Sequence, residues 1–178
     1  MHIIGKRDQV DYTPVILRFA TAFGLSSRMR FDLTINGFTR ELFLNRPLLV
    51  YDPHTWRPYC HVKDFARLID TTLNASVQDV AFETFNAGGE QNNHTKQQIV
   101  QALQNHLPKA RVNFQEHGSD PRNYRVDFNK VRQILGFEPT YIIEDGITEL
   151  IQALQSGQFK NADEHPTWHG NHKMQYPA

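Results

Sequence analysis

The sequence has little cysteine: Cys60 is its one cysteine among 178 residues, so no disulfide can form within the chain. Such low cysteine usage suits a reducing compartment, and we predict a cytoplasmic location. No apolar run approaches the roughly 18 residues that a membrane-spanning helix needs, which predicts no membrane segment. The N-terminal stretch MHIIGKRDQVDYTP also lacks the apolar core of a secretory signal.

The chain has no excess of charge of either sign, because Lys and Arg number 19 and Asp and Glu also number 19. This balance produces no global field that would attract nucleic acid or a membrane surface, so we expect neither as a partner. Any binding site for an anion must therefore be local. Hydrophobic residues at 39% and charged residues at 21% fit an ordinary globular protein.

Apolar residues recur in patterns typical of alternating strands and helices. The run PVILRFATAF predicts a strand over 15–20 that is buried on both faces, and shorter strands are predicted in RPLLVYD, FETFNAGG and ARVNFQE. Helical spacing predicts helices near 32–45, 62–74, 95–107, 127–135 and 144–156. Thr95 and Gln98 have the spacing of a capping box, and Gly136 and Gly157 are predicted to end the last two helices. The alternation predicts an α/β fold.

Only the first predicted strand has the pattern of a central strand, whereas an α/β sheet needs several parallel strands covered on both faces. The chain therefore has the pattern of the second half of a larger domain. We predict a lead-in over 1–13, an α/β unit over 14–156 and a polar tail over 157–178. The tail contains His165, His169 and His172, but it lacks the ordered frame of a metal site, so we predict no metal.

Four sequence blocks carry a resemblance to a known family: VILRFATAFGLSSRMRFDLTIN, WRPYCHVKDFARLI, FNAGGEQNNHTKQQIV and DPRNYRVDFNKVRQILGFEPTYIIEDGITEL. In this order they resemble the C-terminal half of NAD-dependent nucleotide-sugar epimerases and dehydratases, which are extended short-chain dehydrogenase/reductases. The resemblance covers roughly residues 15–154. It implies an α/β fold that is the C-terminal half of an extended Rossmann-type enzyme, with the N-terminal NAD-binding half absent.

The resemblance also implies two motifs, of which this sequence lacks the first and matches the second in spacing only. The NAD-binding half of the family carries G-x-x-G-x-x-G, where helix amides hold the pyrophosphate, whereas Gly88 and Gly89 are an isolated pair. The catalytic Tyr-x-x-x-Lys of the family is matched in spacing by Tyr59 and Lys63. Pro58 disfavours a helix at this position, so we expect the pair to straddle a strand-to-helix junction and interpret the match as chance. We predict no catalytic residue in this chain.

The family's substrate is a nucleotide-diphosphate sugar, and four residues are predicted to bind it. Arg57 matches an arginine that commonly grips the diphosphate, and Arg122 fits the second anion-binding position. Asn36 matches an asparagine that meets the sugar or phosphate at the start of a helix. We expect these three residues to face one another across one pocket. Arg30 is a candidate either for a substrate contact or for an ion pair with Asp32.

The resemblance implies further roles near this pocket. Thr21 and Ala22 lie where relatives contact the nicotinamide ring, so they are cofactor-binding only if the NAD half is supplied. Many relatives carry an arginine where this chain has His117. The resemblance therefore favours Arg122 as the residue that binds the phosphate. Arg28 is placed on the approach to the pocket.

Other polar residues are interpreted as structural. We expect His61 and Asp64 to cap and orient the helix that follows them. Asn86 is interpreted as a turn residue, and Asp145 as part of a helix start.

We predict the C-terminal part of an NAD-dependent nucleotide-sugar epimerase or dehydratase that contributes diphosphate binding and is not catalytically competent alone. NAD is expected as the cofactor of the complete enzyme, and none for this chain by itself. The expected partners are a nucleotide-diphosphate sugar and either the N-terminal half or a second subunit. Two alternatives stay open: a non-catalytic module that binds a nucleotide sugar or a partner protein, and a structural remnant without a ligand.

Overall fold

The structure, a computed structural model, describes residues 10–116 and 122–171. The first elements are strands β1 (Ile16–Phe19) and β2 (Thr21–Phe23), helix α1 (Thr34–Phe43), and strands β3 (Leu48–Tyr51) and β4 (Trp56–His61). Helices α2 (Val62–Asn74) and α3 (Val77–Val80) follow, and then strands β5 (Thr84–Ala87) and β6 (Asn93–Thr95). Next come helix α4 (Lys96–His106), strand β7 (Val112–Gln115), and helices α5 (Asn129–Leu135) and α6 (Ile143–Gln155).

Pairing between the described strands is mainly parallel. β1 pairs with β5, β2 with β4, and β3 with β7, all in parallel, while β6 adds to β4 in the antiparallel direction. Ala20 alone separates β1 from β2, so the chain passes directly from the first of these sheets to the second. Parallel strands connected through helices confirm the predicted α/β fold. None of the described helices is long and apolar enough to cross a membrane.

Two hydrophobic clusters form the core. One joins β2, β4, α1, α4 and α6, and its buried members include Phe23, Ile35, Leu103 and Ile147. The other lies against β5 and joins α2 and α5, with Leu68, Phe85, Val131 and Phe137 among its buried members. Most of the apolar positions that predict the helices therefore face these two clusters.

The five predicted helices are confirmed, each with boundaries within two residues of the prediction. The capping box of Thr95 and Gln98 is present, and Gly136 adopts the left-handed conformation at the end of α5, with φ of 60°. Asp145 accepts a hydrogen bond from the Ile142 amide at 2.8 Å, which confirms its place at a helix start. The apolar pattern does not indicate β6 or α3, which are short and largely polar. The strand expected before α2 from Pro58 is present as β4, although its polar residues give no apolar alternation.

The prediction that the first strand is buried on both faces is wrong. Arg18 and Phe19 are exposed, and no described strand pairs with the second edge of β1. The Phe19 ring, 47% exposed, contacts Phe65 of α2 at a centroid distance of 4.5 Å. Ile69 and Leu73 extend this exposed apolar surface along the same stripe of α2. The exposed apolar surface predicted beside the first strand is therefore present.

We predict that the chain self-associates through this surface, since an unpaired apolar strand edge accepts further strands. Phe19→Lys should lower the average mass in solution because it places a charge on the open strand. Light scattering measures this mass, with circular dichroism to show that the helices are retained. Ile142→Lys is the matched control, because Ile142 is 43% exposed and lies outside the strands. A monodisperse monomer for the unsubstituted chain contradicts the prediction.

Candidate functional site

A cavity of about 190 Å³ opens at the carboxyl ends of β1 and β5, and we call it the β1/β5 cavity. It is lined by Arg18, Phe19, Ala20, Pro58, Asn86, Tyr124, Val126 and Phe128. In α/β sheets ligands bind beyond the carboxyl ends of the strands. A mainly apolar lining with a few polar groups is also typical of small-molecule sites. This cavity is the candidate functional site.

Two asparagines hold the segment that forms one wall of the cavity. The Asn93 carboxamide donates to the Val126 carbonyl at 3.0 Å and accepts from the Val126 amide at 3.1 Å. Asn86 donates to the Asp127 carbonyl at 3.1 Å. Asn86 lies inside β5, so its interpretation as a turn residue is wrong. Side chains thus supply the hydrogen bonds that a neighbouring strand would otherwise make.

Gly88 allows the Phe128 ring to pack against the end of β5. A Cβ atom at Gly88 would meet ring carbons of Phe128 at 2.7 Å, which is too close for any other residue. Phe128 lines the cavity and is itself buried. Gly88 therefore has a packing role at the floor of the candidate site.

Arginines and aromatic rings alternate beside the cavity, where residues 122–126 cross the start of β4. The Arg57 guanidinium lies 5.5 Å from the centroid of the Tyr124 ring and donates to the Trp56 carbonyl at 2.8 Å. Arg125 lies 4.7 Å from the Trp56 ring. Because Tyr124 both lines the cavity and contacts Arg57, that arginine stands at the edge of the cavity. Arg122 is exposed two residues before Tyr124.

The Asn36 side chain is 4% exposed, and its carboxamide closes a loop. It accepts from the Gly24 amide at 3.3 Å and donates to the Arg30 carbonyl at 3.2 Å, so it joins the two ends of residues 24–30. Gly24 directly follows Phe23, the β2 partner of His61. Arg57 lies four residues before His61, about 13 Å along the strand. A substrate contact by Asn36 stays a prediction, and the contacts described for this side chain serve the loop.

The Arg30 guanidinium forms two hydrogen bonds of 2.6 Å with the Asp32 carboxylate. These bonds raise the pKa of Arg30 and lower the pKa of Asp32. Of the two roles left open for Arg30, the ion pair is confirmed and the substrate contact stays a prediction. Arg28 is exposed and donates to the Gly170 carbonyl at 3.1 Å.

Residues beyond α6 fold back onto this loop. The Phe31 amide donates to the His169 carbonyl at 2.8 Å, and a ring nitrogen of His169 hydrogen-bonds to the Met29 carbonyl at 3.1 Å. Asp163 forms an ion pair with the buried Arg40 at 2.8 Å. The segment predicted as a polar tail is therefore packed against the loop as far as Gly170.

Residues 10–116 and 122–171 contain no group of three His, Cys, Asp or Glu side chains that could hold a metal ion. His165 stacks on the Trp168 ring at a centroid distance of 4.0 Å. His117 and His172 lie outside the described residues.

The Tyr59–Lys63 pair straddles the junction between β4 and α2, as predicted. Tyr59 is buried within β4, and this burial raises the pKa of its phenol to about 12. The Lys63 ammonium instead pairs with Glu149. A phenol with a pKa near 12 stays protonated at neutral pH, which opposes a role as a tyrosinate base.

His61 caps α2, which confirms its structural interpretation. Its Nδ1 accepts from the Lys63 amide at 3.1 Å, and its Nε2 lies 2.8 Å from Glu149. Because an amide can only donate, Nδ1 carries no proton and Nε2 donates to the carboxylate. Glu149 also accepts from the Leu25 amide at 3.1 Å and therefore ties α6 to the turn after β2.

Asp64 orients α2 without capping it. Its fully buried carboxylate accepts from the Thr140 and Tyr141 amides at 3.1 and 3.0 Å and from Arg67 at 2.8 Å. Desolvation opposes the charge of Asp64, but these donors outweigh it and lower its pKa. The interpretation of Asp64 as an orienting residue is confirmed, and the hydrogen bonds extend to the segment before α6.

We predict that Asp64→Asn lowers the free energy of unfolding by about 2 to 3 kcal/mol, because charge-assisted hydrogen bonds are lost inside the protein. Urea denaturation measures the change. Asp70→Asn is the matched control, since Asp70 is an exposed carboxylate on the same helix. Its change should stay below about 0.5 kcal/mol.

The effect of Asp64→Asn should depend on pH in a defined direction. The pKa of Asp64 is lowered from an ordinary value of 3.8, so its contribution is fully present above that value. The difference between the variant and the unsubstituted chain should shrink as pH falls through the lowered pKa. A difference that grows on acidification contradicts this assignment.

The sequence is similar to known nucleotide-sugar enzymes. It is 26% identical over 141 residues to a UDP-glucuronate 4-epimerase of Thermodesulfobacterium geofontis, which covers 76% of this chain and 41% of that protein. It is 32% identical over 118 residues to a dTDP-glucose 4,6-dehydratase of Xanthomonas campestris, which covers 59% of this chain and 32% of that protein. No family model matches the sequence.

The fold is similar to that of solved epimerases. The UDP-glucuronic acid 4-epimerase of Bacillus cereus, in complex with UDP-glucuronic acid and NAD, gives a TM-score of 0.74 at 22% identity, covering 87% of this chain and 49% of that one. The UDP-glucose 4-epimerase of Thermotoga maritima gives a TM-score of 0.74 at 19% identity, and the match covers 89% of this chain and 51% of that one. The chain thus spans at most about half the length of these relatives. The resemblance to the NAD-dependent epimerase/dehydratase family is confirmed, for a part of that fold.

Proposed function

We propose that this chain is the substrate-binding part of an NAD-dependent nucleotide-sugar epimerase or dehydratase and that it binds the nucleotide diphosphate without catalysing a reaction alone. The observation that carries the proposal is the position of Arg57 and Tyr124 at the edge of the β1/β5 cavity. This cavity lies at the carboxyl ends of two parallel strands, where α/β enzymes bind their ligands.

The residues at the cavity edge suit a nucleoside diphosphate. The planar guanidinium of Arg57 matches two phosphate oxygens, and the exposed Arg122 is close enough in sequence to Tyr124 to supply a second fork. The Tyr124 ring is 49% exposed and offers a face to a nucleobase. A chain with no net charge needs such local clustering to hold a doubly charged group.

The size of the cavity fits a part of the ligand. Its volume of about 190 Å³ lies below the roughly 300 to 1,000 Å³ of complete small-molecule sites. The cavity would hold the sugar ring of a nucleotide sugar, and the arginines at its edge would hold the diphosphate of the same molecule. We propose this orientation for the bound nucleotide sugar.

Thr21 and Ala22, the residues predicted to contact NAD, are placed where they could touch the cofactor, but they cannot hold its pyrophosphate. Thr21 and Ala22 open β2 directly after Ala20, which lines the cavity. A pyrophosphate site needs a glycine-rich turn that leads from a strand into a helix N-terminus. The pair at Gly88 instead leads into the short turn Glu90–Asn92 and the strand β6. The described residues therefore provide a surface that NAD could contact, but no glycine-rich turn that would bind its pyrophosphate.

We expect Arg57→Ala and Arg122→Ala each to weaken binding of UDP or dTDP about tenfold or more, because each removes a charge-assisted contact. Calorimetric titration measures the affinities, and the melting temperature should change little. Arg28→Ala should weaken binding less, since Arg28 is placed on the approach. Arg111→Ala is the matched control, because Arg111 bonds to the Asn45 carbonyl away from the cavity. If UDP and dTDP do not bind the unsubstituted chain, the ligand-free alternative is favoured.

We expect the chain alone neither to bind NAD at micromolar concentration nor to turn over a nucleotide sugar. The reason is the lack of a pyrophosphate anchor in the described residues, together with the buried, protonated Tyr59. Calorimetry with NAD and a coupled epimerase assay test this expectation. NAD-dependent turnover that Tyr59→Phe abolishes would overturn it and make Tyr59 a catalytic residue.

A further inference from the structure

Arg18 is an exposed, charged residue in the lining of the cavity, and the proposed function does not use it. It lies in β1, opposite Asn86 in the parallel register with β5, and both side chains line the cavity. Within residues 10–116 and 122–171, no group hydrogen-bonds to its guanidinium or forms an ion pair with it. Other described arginines have carboxylate partners: Arg30, Arg40, Arg46, Arg67 and Arg132.

The surroundings of Arg18 favour an anion as its ligand. The lining of the cavity includes no carboxylate, and five of its eight residues are apolar: Phe19, Ala20, Pro58, Val126 and Phe128. The guanidinium is the one charged group in this lining and gives the cavity a positive charge. Apolar walls of low dielectric strengthen the attraction between such a cation and an entering anion.

Position separates this arginine from the proposed diphosphate contacts. Arg57 stands outside the cavity at the Tyr124 edge, whereas Arg18 is part of the lining. A diphosphate held at the edge leaves the cavity to the sugar. The anion that reaches Arg18 is then a substituent of the sugar ring, and a carboxylate matches the two parallel N–H groups of a guanidinium.

Asn86 offers a second contact to such a sugar. Its amide nitrogen donates a hydrogen bond to the Asp127 carbonyl at 3.1 Å. Its carboxamide oxygen has no partner among the described residues, so it is available to accept from a sugar hydroxyl. A carboxylate beside Arg18 and a hydroxyl beside Asn86 describe a hexuronic acid.

We propose that Arg18 is a specificity-determining residue that selects nucleotide-diphosphate sugars bearing a carboxylate over neutral ones. The inference rests on the proposed function, because it takes the diphosphate to lie at Arg57. A neutral sugar would leave the guanidinium without an anionic partner in a partly apolar cavity, and that loss lowers its affinity.

The test compares the affinities of UDP, UDP-glucose and UDP-glucuronate for the full chain by calorimetry. We expect UDP-glucuronate to bind about tenfold more tightly than UDP-glucose, as one charge-assisted contact allows. Arg18→Gln should abolish this preference and leave the affinity for UDP unchanged. Arg18→Lys should retain part of the preference, because it keeps the charge but loses the fork.

Arg111→Gln is the matched control and should leave all three affinities unchanged, and circular dichroism shows that each variant is folded. A preference that survives Arg18→Gln, or equal binding of the two sugars by the unsubstituted chain, overturns the proposal while UDP binding still supports the proposed function. Failure to bind any of the three probes refutes the proposed function and this inference with it.

Discussion

The candidate site depends on the hydrogen bonds by which Asn86 and Asn93 hold an irregular segment against the sheet. Backbone groups in a protein need partners, and an irregular segment has no neighbouring strand to provide them. The two carboxamides supply those partners from β5 and β6, so residues 124–128 are fixed without forming a strand. Tyr124, Val126 and Phe128 can then line one cavity, and Arg57 can rest on the Tyr124 ring.

The stretch YCHVKD shows that residues with the spacing of a catalytic Tyr-x-x-x-Lys motif can have structural roles instead. A strand places alternate residues on one face, and the chain then turns into a helix at Val62. Tyr59 points into the core, His61 caps the helix, and Asp64 binds the amides before α6. The lysine lies four positions after the tyrosine, but the change from strand to helix gives their side chains different surroundings. Secondary structure therefore decides whether such a motif can act as a catalytic pair.

The elements with strong local signals could be predicted from the sequence, and those that depend on distant partners could not. The sequence predicts the helices with an apolar stripe, a capping box or a terminal glycine to within two residues, because each signal is local. Strand β4 contains Pro58 and polar residues, and its burial results from pairing with β2 and β6. The apolar run of the first strand predicts a central strand, yet β1 pairs on one edge among the described strands and Phe19 is exposed.

The same distinction applies to the site. The resemblance indicates Arg57, and the structure places this arginine beside the cavity through Tyr124, a residue for which the sequence predicts no role. The sequence does not predict Arg18 or the wall-forming role of Asn86, because a strand sequence does not indicate which side chains meet the segment over 122–128. Parallel register supplies that information, since it sets Arg18 opposite Asn86.

Charge pairing inside the chain determines which arginines an anionic ligand can reach. Arg30, Arg40 and Arg67 each have a carboxylate partner, and such pairs contribute little stability where they are exposed. In each pair, however, the carboxylate neutralises an arginine that would otherwise attract an anionic ligand. Because acidic and basic residues are equal in number, the location of a cation without an acidic neighbour is more informative than the total charge. The carboxylate-free lining around Arg18 therefore makes a local anion site compatible with a neutral protein.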